Sequence, residues 1–422
     1  MCPFSKRMTS HRILRVNTSM KRFLPLYGLL LVLLAGAMCL PLFPADLPES
    51  PAAQETIETG RLPLRAIDLT GVEANNGFSV SAGSAILMDA NSGSVLYAQN
   101  ADMQRGMAST TKVMTALVIL EAMSPDTVVE ITPEMTGAEG SSLYLQAGEH
   151  LTVEQLLYGL MLESGNDAAE ALAIACDGSI EAFANRMNAR AKSLGLTHTR
   201  FANPHGLSAS GHYTTARELA LITMEALKNE LFRTIVSTYR MQIPYQDQPG
   251  ARYLTNHNPI LTKYDGMIGV KTGWTTADGK CFVTAAERDG LTLIAVTLGD
   301  TNISSTHTAL LNHGFDSFEA VPLPMDTPIR VPLVGGKESF LALEAEPNAN
   351  GLFVCLPKGE RVEVRVETPP FVYAGTERGS SVGRIVFSRK SEELASVQLL
   401  TAEEAPVRRL SFWEKLFGAK EE

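Results

Sequence analysis

Three short elements of this sequence carry side chains that could together perform nucleophilic chemistry on a carbonyl group. They are, in chain order, Ser109-Thr110-Thr111-Lys112, Ser164-Gly165-Asn166 and Lys271-Thr272-Gly273. A serine followed three residues later by a lysine arises readily by chance, so the first element alone has little weight. The ordered set of three argues against coincidence and predicts a serine-based active site.

The first element provides a nucleophile and a base. Ser109 and Lys112 stand at positions i and i+3 at the start of a predicted helix, so they share one face and lie within hydrogen-bond reach. A serine hydroxyl becomes a good nucleophile when a base removes its proton. Lys112 can be that base if burial and the positive end of the helix keep it neutral. The alternative is that Ser109 only caps the helix and Lys112 extends to water.

The other two elements can protonate the leaving group and bind the substrate. The Ser164 hydroxyl can relay a proton to a leaving amine, and the Asn166 amide can hold a substrate backbone. Lys271 adds positive charge beside Lys112, which lowers the pKa of the base. Thr272 can bind a carboxylate, and Gly273 allows an extended substrate to approach the strand. The structural alternatives are a loop between two helices and a polar edge strand.

Helices and strands alternate around these elements. Residues 109–122 are apolar on nearly every face, which predicts a buried helix, and residues 152–163 and 167–176 predict two more, joined by a loop at 164–166. Residues 266–275, 281–287 and 291–298 predict an antiparallel meander. We therefore predict an α/β catalytic domain, an antiparallel sheet flanked by helices, over residues 81–318. Short alternating runs then predict a small all-β domain over residues 319–402.

Both ends of the 422-residue chain predict export and membrane contact. Residues 1–45 contain basic residues, an apolar run and Ala35-Gly36-Ala37, which is typical of a signal peptide, with an uncleaved anchor as the alternative. Residues 46–80 predict a linker. Residues 405–419 place Leu410, Trp413 and Phe417 at helical spacing, which predicts an amphipathic helix on a membrane surface or, alternatively, one packed on the body. The expected location is the outer face of the cytoplasmic membrane or the periplasm and cell-wall space.

Charge and cysteine content exclude other classes of function. A net charge of -10 argues against nucleic-acid binding, which requires clustered cations. The five cysteines are widely spaced and predict neither a disulfide framework nor a metal site. We expect no metal and no cofactor.

The three elements and their surroundings resemble the D-alanyl-D-alanine carboxypeptidase family of low-molecular-mass penicillin-binding proteins. The further matching motifs are Asp89-Ala90, Leu162-Glu163-Ser164-Gly165-Asn166-Asp167-Ala168-Ala169, Asn203-Pro204-His205-Gly206-Leu207 and Asp265-Gly266-Met267-Ile268-Gly269-Val270-Lys271-Thr272-Gly273. The resemblance covers residues 84–315, and the β domain and tail are similar in kind with weaker motifs. It implies a catalytic domain of the penicillin-binding and β-lactamase-like type.

The resemblance also implies a reaction. Ser109 would attack the carbonyl between the two terminal D-alanines of a peptidoglycan stem peptide, form an acyl-enzyme and yield to water, and β-lactam antibiotics would trap the same serine. The backbone N–H groups of Ser109 and Trp274 would form the oxyanion hole. Implied partners are therefore the stem peptide as substrate and penicillins as covalent inhibitors.

Two departures from the family pattern concern the substrate pocket. Trp274 stands where some relatives have histidine. Some relatives also place an arginine before the helix that ends in Gly314-Phe315, where it binds the substrate carboxylate. In this sequence that segment offers only His307, so we expect Lys271 and Thr272 to bind the carboxylate. His205 and His212 are predicted to be structural.

Other functions remain open from the sequence. A serine β-lactamase shares two of the elements, but the Glu-x-x-Leu-Asn run that it uses for deacylation is not found, and it favours Ser-Asp-Asn over Ser-Gly-Asn. A non-catalytic peptidoglycan-binding scaffold is disfavoured by the intact Ser109, Lys112, Ser164 and Lys271. A DD-endopeptidase or transpeptidase would use the same acyl-enzyme, and the sequence does not separate vegetative from sporulation roles.

Overall fold

The computed structural model describes residues 64–72, 77–245, 249–325, 328–349 and 351–409. All of them belong to the unit Thr59–Glu422. The predicted signal peptide, residues 46–63 and 73–76 of the predicted linker, and residues 410–419 of the predicted tail helix lie outside the described residues. Within the described ranges, no helix is long and apolar enough to cross a bilayer.

Strands and helices alternate up to residue 317, and the elements described after it are mainly strands. The strands are β1 (Ala82–Asp89), β2 (Val95–Gln99), β3 (Val128–Glu130), β4 (His150–Thr152), β5 (Arg240–Pro244), β6 (Ala251–Thr255), β7 (Met267–Thr275), β8 (Gly279–Arg288), β9 (Leu291–Asp300), β10 (Phe318–Pro322), β11 (Ile329–Val334), β12 (Phe340–Ala345), β13 (Phe353–Pro357), β14 (Glu363–Glu367), β15 (Val372–Tyr373), β16 (Ser381–Arg389) and β17 (Glu392–Thr401). The helices are α1 (Lys112–Ala122), α2 (Val153–Tyr158), α3 (Asn166–Asp177), α4 (Ile180–Ser193), α5 (Ala216–Ala226), α6 (Glu230–Ser237) and α7 (Ile303–Ser317).

A five-stranded antiparallel sheet forms the frame of the catalytic part. Its strand order is β2-β1-β9-β8-β7, so β7, which carries Lys271-Thr272-Gly273, is an edge strand. The outer backbone groups of an edge strand are not used by the sheet and can pair with an added strand. The predicted meander is confirmed as β7, β8 and β9.

Both faces of this sheet are buried. Along β1, Ile86 and Met88 pack in the core on the side of α1, whereas Ala85 and Leu87 pack on the side of α7. This follows from strand geometry, because successive side chains point to opposite faces. The sheet is therefore a middle layer between helices, as the fold class predicted.

The helix α1 passes through the core. Every residue from Lys112 to Ile119 is buried, because helices surround it and its sequence is apolar on most faces. The predicted start at Ser109 differs in detail, since a 3₁₀ turn at Ala108–Thr111 precedes α1. The break predicted at residues 164–166 also exists, and a π-helical turn at Gly159–Glu163 leads into it.

After α7, the described residues up to 409 form β-strands and one short 3₁₀ turn at Pro347–Ala349. Strands β14-β16-β17-β12-β11-β15 make a six-stranded sheet, and β10 pairs with β13. This part corresponds to the predicted small all-β domain.

Residues 64–72 differ from the linker that was predicted over residues 46–80. Ile67 and Leu69 are buried, and their backbone groups pair with Val95 at the start of β2. Burial of two apolar side chains explains why this segment packs on the sheet. The composition of the segment conceals this because only two of its residues are fully buried, while Leu64 and Val72 pack against the core in part.

Candidate active site

Ser109 lies on a tight turn just ahead of α1. The preceding residue, Ala108, has a φ of 45°, a left-handed conformation that is uncommon for residues other than glycine. Its N–H donates to the Asp278 carboxylate at 3.0 Å, and its carbonyl accepts from the Thr111 hydroxyl at 2.8 Å. These two bonds hold the peptide that sets the orientation of Ser109.

Lys112 contacts Ser109 directly. Its Nζ lies 3.0 Å from Ser109 Oγ, 2.7 Å from Asn166 Oδ1 and 2.6 Å from the carbonyl oxygen of His205. The two carbonyl-type oxygens can only accept, so they take two N–H groups of the amine. The third direction points to Ser109, whose hydroxyl can donate to the lone pair of a neutral Lys112.

The environment favours this neutral form. Lys112 is fully buried, and burial holds its pKa well below the usual value. The positive charge of Lys271 lowers the pKa further, as predicted, whereas the Asp167 carboxylate opposes both effects. A neutral amine in contact with the Ser109 hydroxyl is a competent general base.

Ser164 and Asn166 lie at the junction of the π-helical turn and α3. Ser164 is buried and has a left-handed φ of 62°, and it lines the same cavity as Ser109. Asn166 is held inside the site by two contacts. Its amide oxygen accepts from Lys112 and its amide nitrogen donates to the Glu139 carbonyl. These contacts can orient Lys112, and contact of Asn166 with substrate stays a prediction.

Lys271 points inward from β7. It is buried, its Nζ donates to the Thr272 carbonyl at 3.0 Å, and burial lowers its pKa to about 7, an effect that Glu163 opposes. At neutral pH both the charged and the neutral form of this side chain are therefore populated.

Gly273 brings β7 into contact with the 3₁₀ turn Ala108–Thr111, which carries Ser109. A Cβ atom at this position would lie 2.8 Å from the Ser109 amide nitrogen and 3.0 Å from that of Thr110. Any side chain would separate the strand from these N–H groups. The next residue, Trp274, is exposed.

A cavity of about 540 Å³ opens in front of Ser109. It is lined by Ser109, Ser141, Ser164, His257, Pro259, Thr272, Gly273, Trp274, Lys280 and Ile303. The structure thus brings five of the predicted site residues to one cavity, while Lys112, Asn166 and Lys271 are buried. Sequence patterns did not indicate Ser141, His257 or Lys280, because none of them belongs to a motif.

The histidines near the motifs are structural. His212 accepts from the Ala202 N–H through Nδ1 and lies 2.8 Å from Thr111 Oγ1 through Nε2, so its Nε2 carries the proton. Burial lowers the pKa of His205 to about 3 and that of His212 to about 4. His307 is fully buried between Thr284 and Thr297. His307 therefore cannot reach a substrate carboxylate in the cavity.

Asp167 is a further residue of the site whose role the sequence analysis did not predict. Its buried carboxylate accepts from the Ser142 hydroxyl and from the N–H groups of Leu143 and Leu145. The loop that it holds includes Ser141, which lines the cavity. No local pattern marks this role, because the partners lie more than 20 residues away.

The chain is similar to a family of known proteins. The family model described as D-alanyl-D-alanine carboxypeptidase, a peptidase family, matches residues 70–302. The chain is 32% identical to the D-alanyl-D-alanine carboxypeptidase DacF of Bacillus subtilis over 337 residues, which cover 76% of this chain and 85% of that protein.

Two solved structures are similar to the fold. Penicillin binding protein 5 from Haemophilus influenzae has a TM-score of 0.65 and 27% identity, with 78% of this chain and 98% of that chain covered. The Streptomyces K15 DD-transpeptidase has a TM-score of 0.54 and 36% identity, with 57% and 98% covered. The chain therefore belongs to the D-alanyl-D-alanine carboxypeptidase family and is a serine-type D-alanyl-D-alanine carboxypeptidase with the fold of the penicillin-binding proteins.

Proposed function

We propose that Ser109 is the nucleophile and Lys112 the general base of this carboxypeptidase. The observation that carries the proposal is the 3.0 Å contact between Lys112 Nζ and Ser109 Oγ inside a fully buried environment. Ser109 Oγ attacks the carbonyl carbon between the two terminal D-alanines, and its proton passes to Lys112. Burial of Lys112 lowers its pKa well below the usual value and so favours the neutral amine that a general base needs.

The negative charge that develops on the carbonyl oxygen needs preorganised donors. We assign this role to the backbone N–H groups of Ser109 and Trp274. The close approach of Gly273 to the Ser109 amide supports it, because the nucleophile turn and β7 then form one wall of the cavity. Loss of one such donor costs about 100- to 1000-fold in turnover in enzymes of known mechanism.

Collapse of the tetrahedral intermediate breaks the peptide bond. The leaving amino group of D-alanine takes up a proton, which we route from Lys112 through the Ser164 hydroxyl. Water then attacks the ester carbonyl and gives a proton to Lys112. The bond to Ser109 Oγ breaks, Lys112 returns that proton to Ser109 Oγ, and the shortened peptide leaves with a new C-terminal carboxylate. Asn166 and Lys271 act on this cycle through Lys112, the first by orientation and the second by charge.

The substrate we propose is the pentapeptide stem of peptidoglycan. Enzymes of this family act on peptidoglycan peptides and bind β-lactams, whose strained amide resembles the terminal dipeptide. The edge strand β7 can pair with an extended peptide, with Thr272 and Trp274 beside its end. A transpeptidase reaction is the second candidate, because a structurally similar enzyme is named for it. The two differ only in whether water or an amine resolves the acyl-enzyme.

The decisive experiment measures release of D-alanine from a muramyl pentapeptide by the purified enzyme, with benzylpenicillin in a parallel sample. The variant Ser109→Ala should release none and should not be labelled by penicillin, whereas Ser193→Ala, a matched change on the exposed surface of α4, should equal the wild type. Labelling of Ser109→Ala would contradict the nucleophile. Destruction of penicillin without D-alanine release would favour a β-lactamase. Inactivity in both samples would favour a non-catalytic scaffold. Glycine added as an amine acceptor distinguishes transpeptidation from hydrolysis, because transfer of the peptide to glycine gives a product of higher mass than hydrolysis does.

We also propose that the enzyme is exported and binds the membrane surface through its C-terminal residues. The basic and apolar pattern of residues 1–45 and the spacing of Leu410, Trp413 and Phe417 support this. The outer face of the cytoplasmic membrane is also where a peptidoglycan precursor would be met. Fractionation of cells tests the location directly.

A further inference from the structure

The end of the substrate carries a carboxylate, because the enzyme removes a C-terminal amino acid. This inference rests on the proposed function. A carboxylate in a cavity needs a cation or several donors. Lys112 and Lys271 are poor candidates, because both are buried, both have a lowered pKa and Lys112 is occupied by three oxygens.

Lys280 lines the same cavity as Ser109 and Thr272. It lies on β8, one strand inward from β7, and pairs in register with Trp274, while Phe282 pairs with Thr272. Paired residues of an antiparallel sheet point to the same face, and so do residues two apart. The side chains of Thr272, Trp274 and Lys280 therefore lie on one face of the sheet. Further along the strands, α7 covers this face, and the ring centroids of Phe282 and His307 are 4.3 Å apart.

The ammonium group of Lys280 is available at the mouth of the cavity. The side chain is exposed, and its Nζ donates to the Thr301 carbonyl at 3.2 Å. Among the described residues no carboxylate forms an ion pair with it. Its register neighbour Asp300 is buried and accepts from Ser81, Thr306 and the Asn302 N–H instead.

The other cavity residues do not supply this charge. His257 lies 3.3 Å from the Glu163 carboxylate, which would neutralise it if it were protonated. Ile303, the first residue of α7, lines the cavity with an apolar side chain, and His307 is fully buried.

We propose that Lys280 binds the C-terminal carboxylate of the substrate, with the Thr272 hydroxyl as a second donor. The ion pair fixes the terminal D-alanine on one side of Ser109 and Ile303 offers an apolar wall beside it. Lys280 thus determines specificity for peptides with a free C-terminal carboxylate. Partly exposed hydrogen-bonded ion pairs of this kind correspond to about 10- to 100-fold in kcat/KM.

The test compares two peptides, diacetyl-L-lysyl-D-alanyl-D-alanine and the same peptide with a C-terminal carboxamide. Lys280→Ala should lower kcat/KM for the acid about 10- to 100-fold and leave the amide unchanged. Lys280→Arg should retain most of the activity on the acid. Lys358→Ala, which removes one exposed positive charge from the residue after β13, serves as the charge-matched control and should not change either substrate.

A second pair of ligands does not depend on turnover of the amide. The rate of Ser109 acylation by benzylpenicillin and by its methyl ester, followed by intact mass, should show the same selective loss in Lys280→Ala. Equal losses for acid and neutral ligands would mean that Lys280 only supports the fold near Asp300, and no loss would mean that it does not bind the carboxylate. Either result overturns the proposal. Absence of D-alanine release by the wild type would instead overturn the proposed function, and this inference with it.

Discussion

Asp167 holds the loop at residues 139–145 against α3, and its replacement by alanine is expected to destabilise the protein strongly. The carboxylate accepts four hydrogen bonds, from Ser142 Oγ at 2.7 Å and from the N–H groups of Leu143, Leu145 and Ala168 at 2.9, 3.1 and 2.9 Å. Asp167→Ala removes the acceptor while the amides of Leu143 and Leu145 remain buried.

The size of the effect follows from these two amides. A buried donor that loses a charged acceptor costs about 1.5–3 kcal/mol, so the two together cost about 3–6 kcal/mol in the free energy of unfolding. Domains are typically stable by about 5–15 kcal/mol, so this loss is a large fraction of the total. Because Ser141 lines the cavity and the Glu139 carbonyl holds Asn166, penicillin acylation of Ser109 should slow as well.

Denaturant unfolding of the wild type and Asp167→Ala measures the loss. Asp167→Asn keeps one acceptor oxygen and should be intermediate. Asp177→Ala is the matched control at the other end of α3, because its ion pair with the exposed Arg186 contributes at most about 1 kcal/mol. If Asp167→Ala loses less than about 1 kcal/mol and is acylated at the wild-type rate, the loop does not depend on these hydrogen bonds and the reasoning is refuted.

Three further predictions concern the base, the nucleophile turn and the C-terminus. Because the pKa of Lys271 falls from 10.5 to about 7 on folding, the unfolded state binds more protons between these values, and the free energy of unfolding should rise with pH there. Lys271→Met should flatten this rise by about 1.4 kcal/mol per pH unit. The same change should move the acidic limb of the pH profile of acylation to higher pH, because it removes a charge that lowers the pKa of Lys112. An unchanged acidic limb would contradict the coupling between the two lysines. Asp278→Ala removes the acceptor of the Ala108 N–H and should slow acylation about 10-fold with little change in penicillin affinity. Asp278→Asn keeps an acceptor oxygen and should restore the rate. Equal acylation rates in the wild type and both variants would exclude a role of Asp278 in positioning Ser109. Deletion of residues 410–422 should release the signal-cleaved enzyme from membranes without loss of activity. The deletion must spare Val407, which bridges to Gly336, and persistent sedimentation with membranes would argue against the tail.

Local patterns were sufficient for much of the fold and for the central pair of the site. The spacing of Ser109 and Lys112 fixes their contact, because residues three apart on a helical turn share a face. Alternating apolar residues and Gly-bearing turns likewise predicted β7, β8 and β9 closely. In each case the interacting residues are near in sequence, so periodicity determines their geometry.

The remaining features of the site depend on contacts between distant parts of the chain. Lys112 meets Asn166 across 54 residues and the Ala108 N–H meets Asp278 across 170, and no local pattern predicts either pairing. Lys280 reaches the cavity only because β8 lies beside β7 in one particular register. Sequence by itself determined which chemistry the chain carries and which elements bear it. The order and register of the strands and the burial of each charge determined which residues meet, because packing, unlike periodicity, is a property of the whole folded chain.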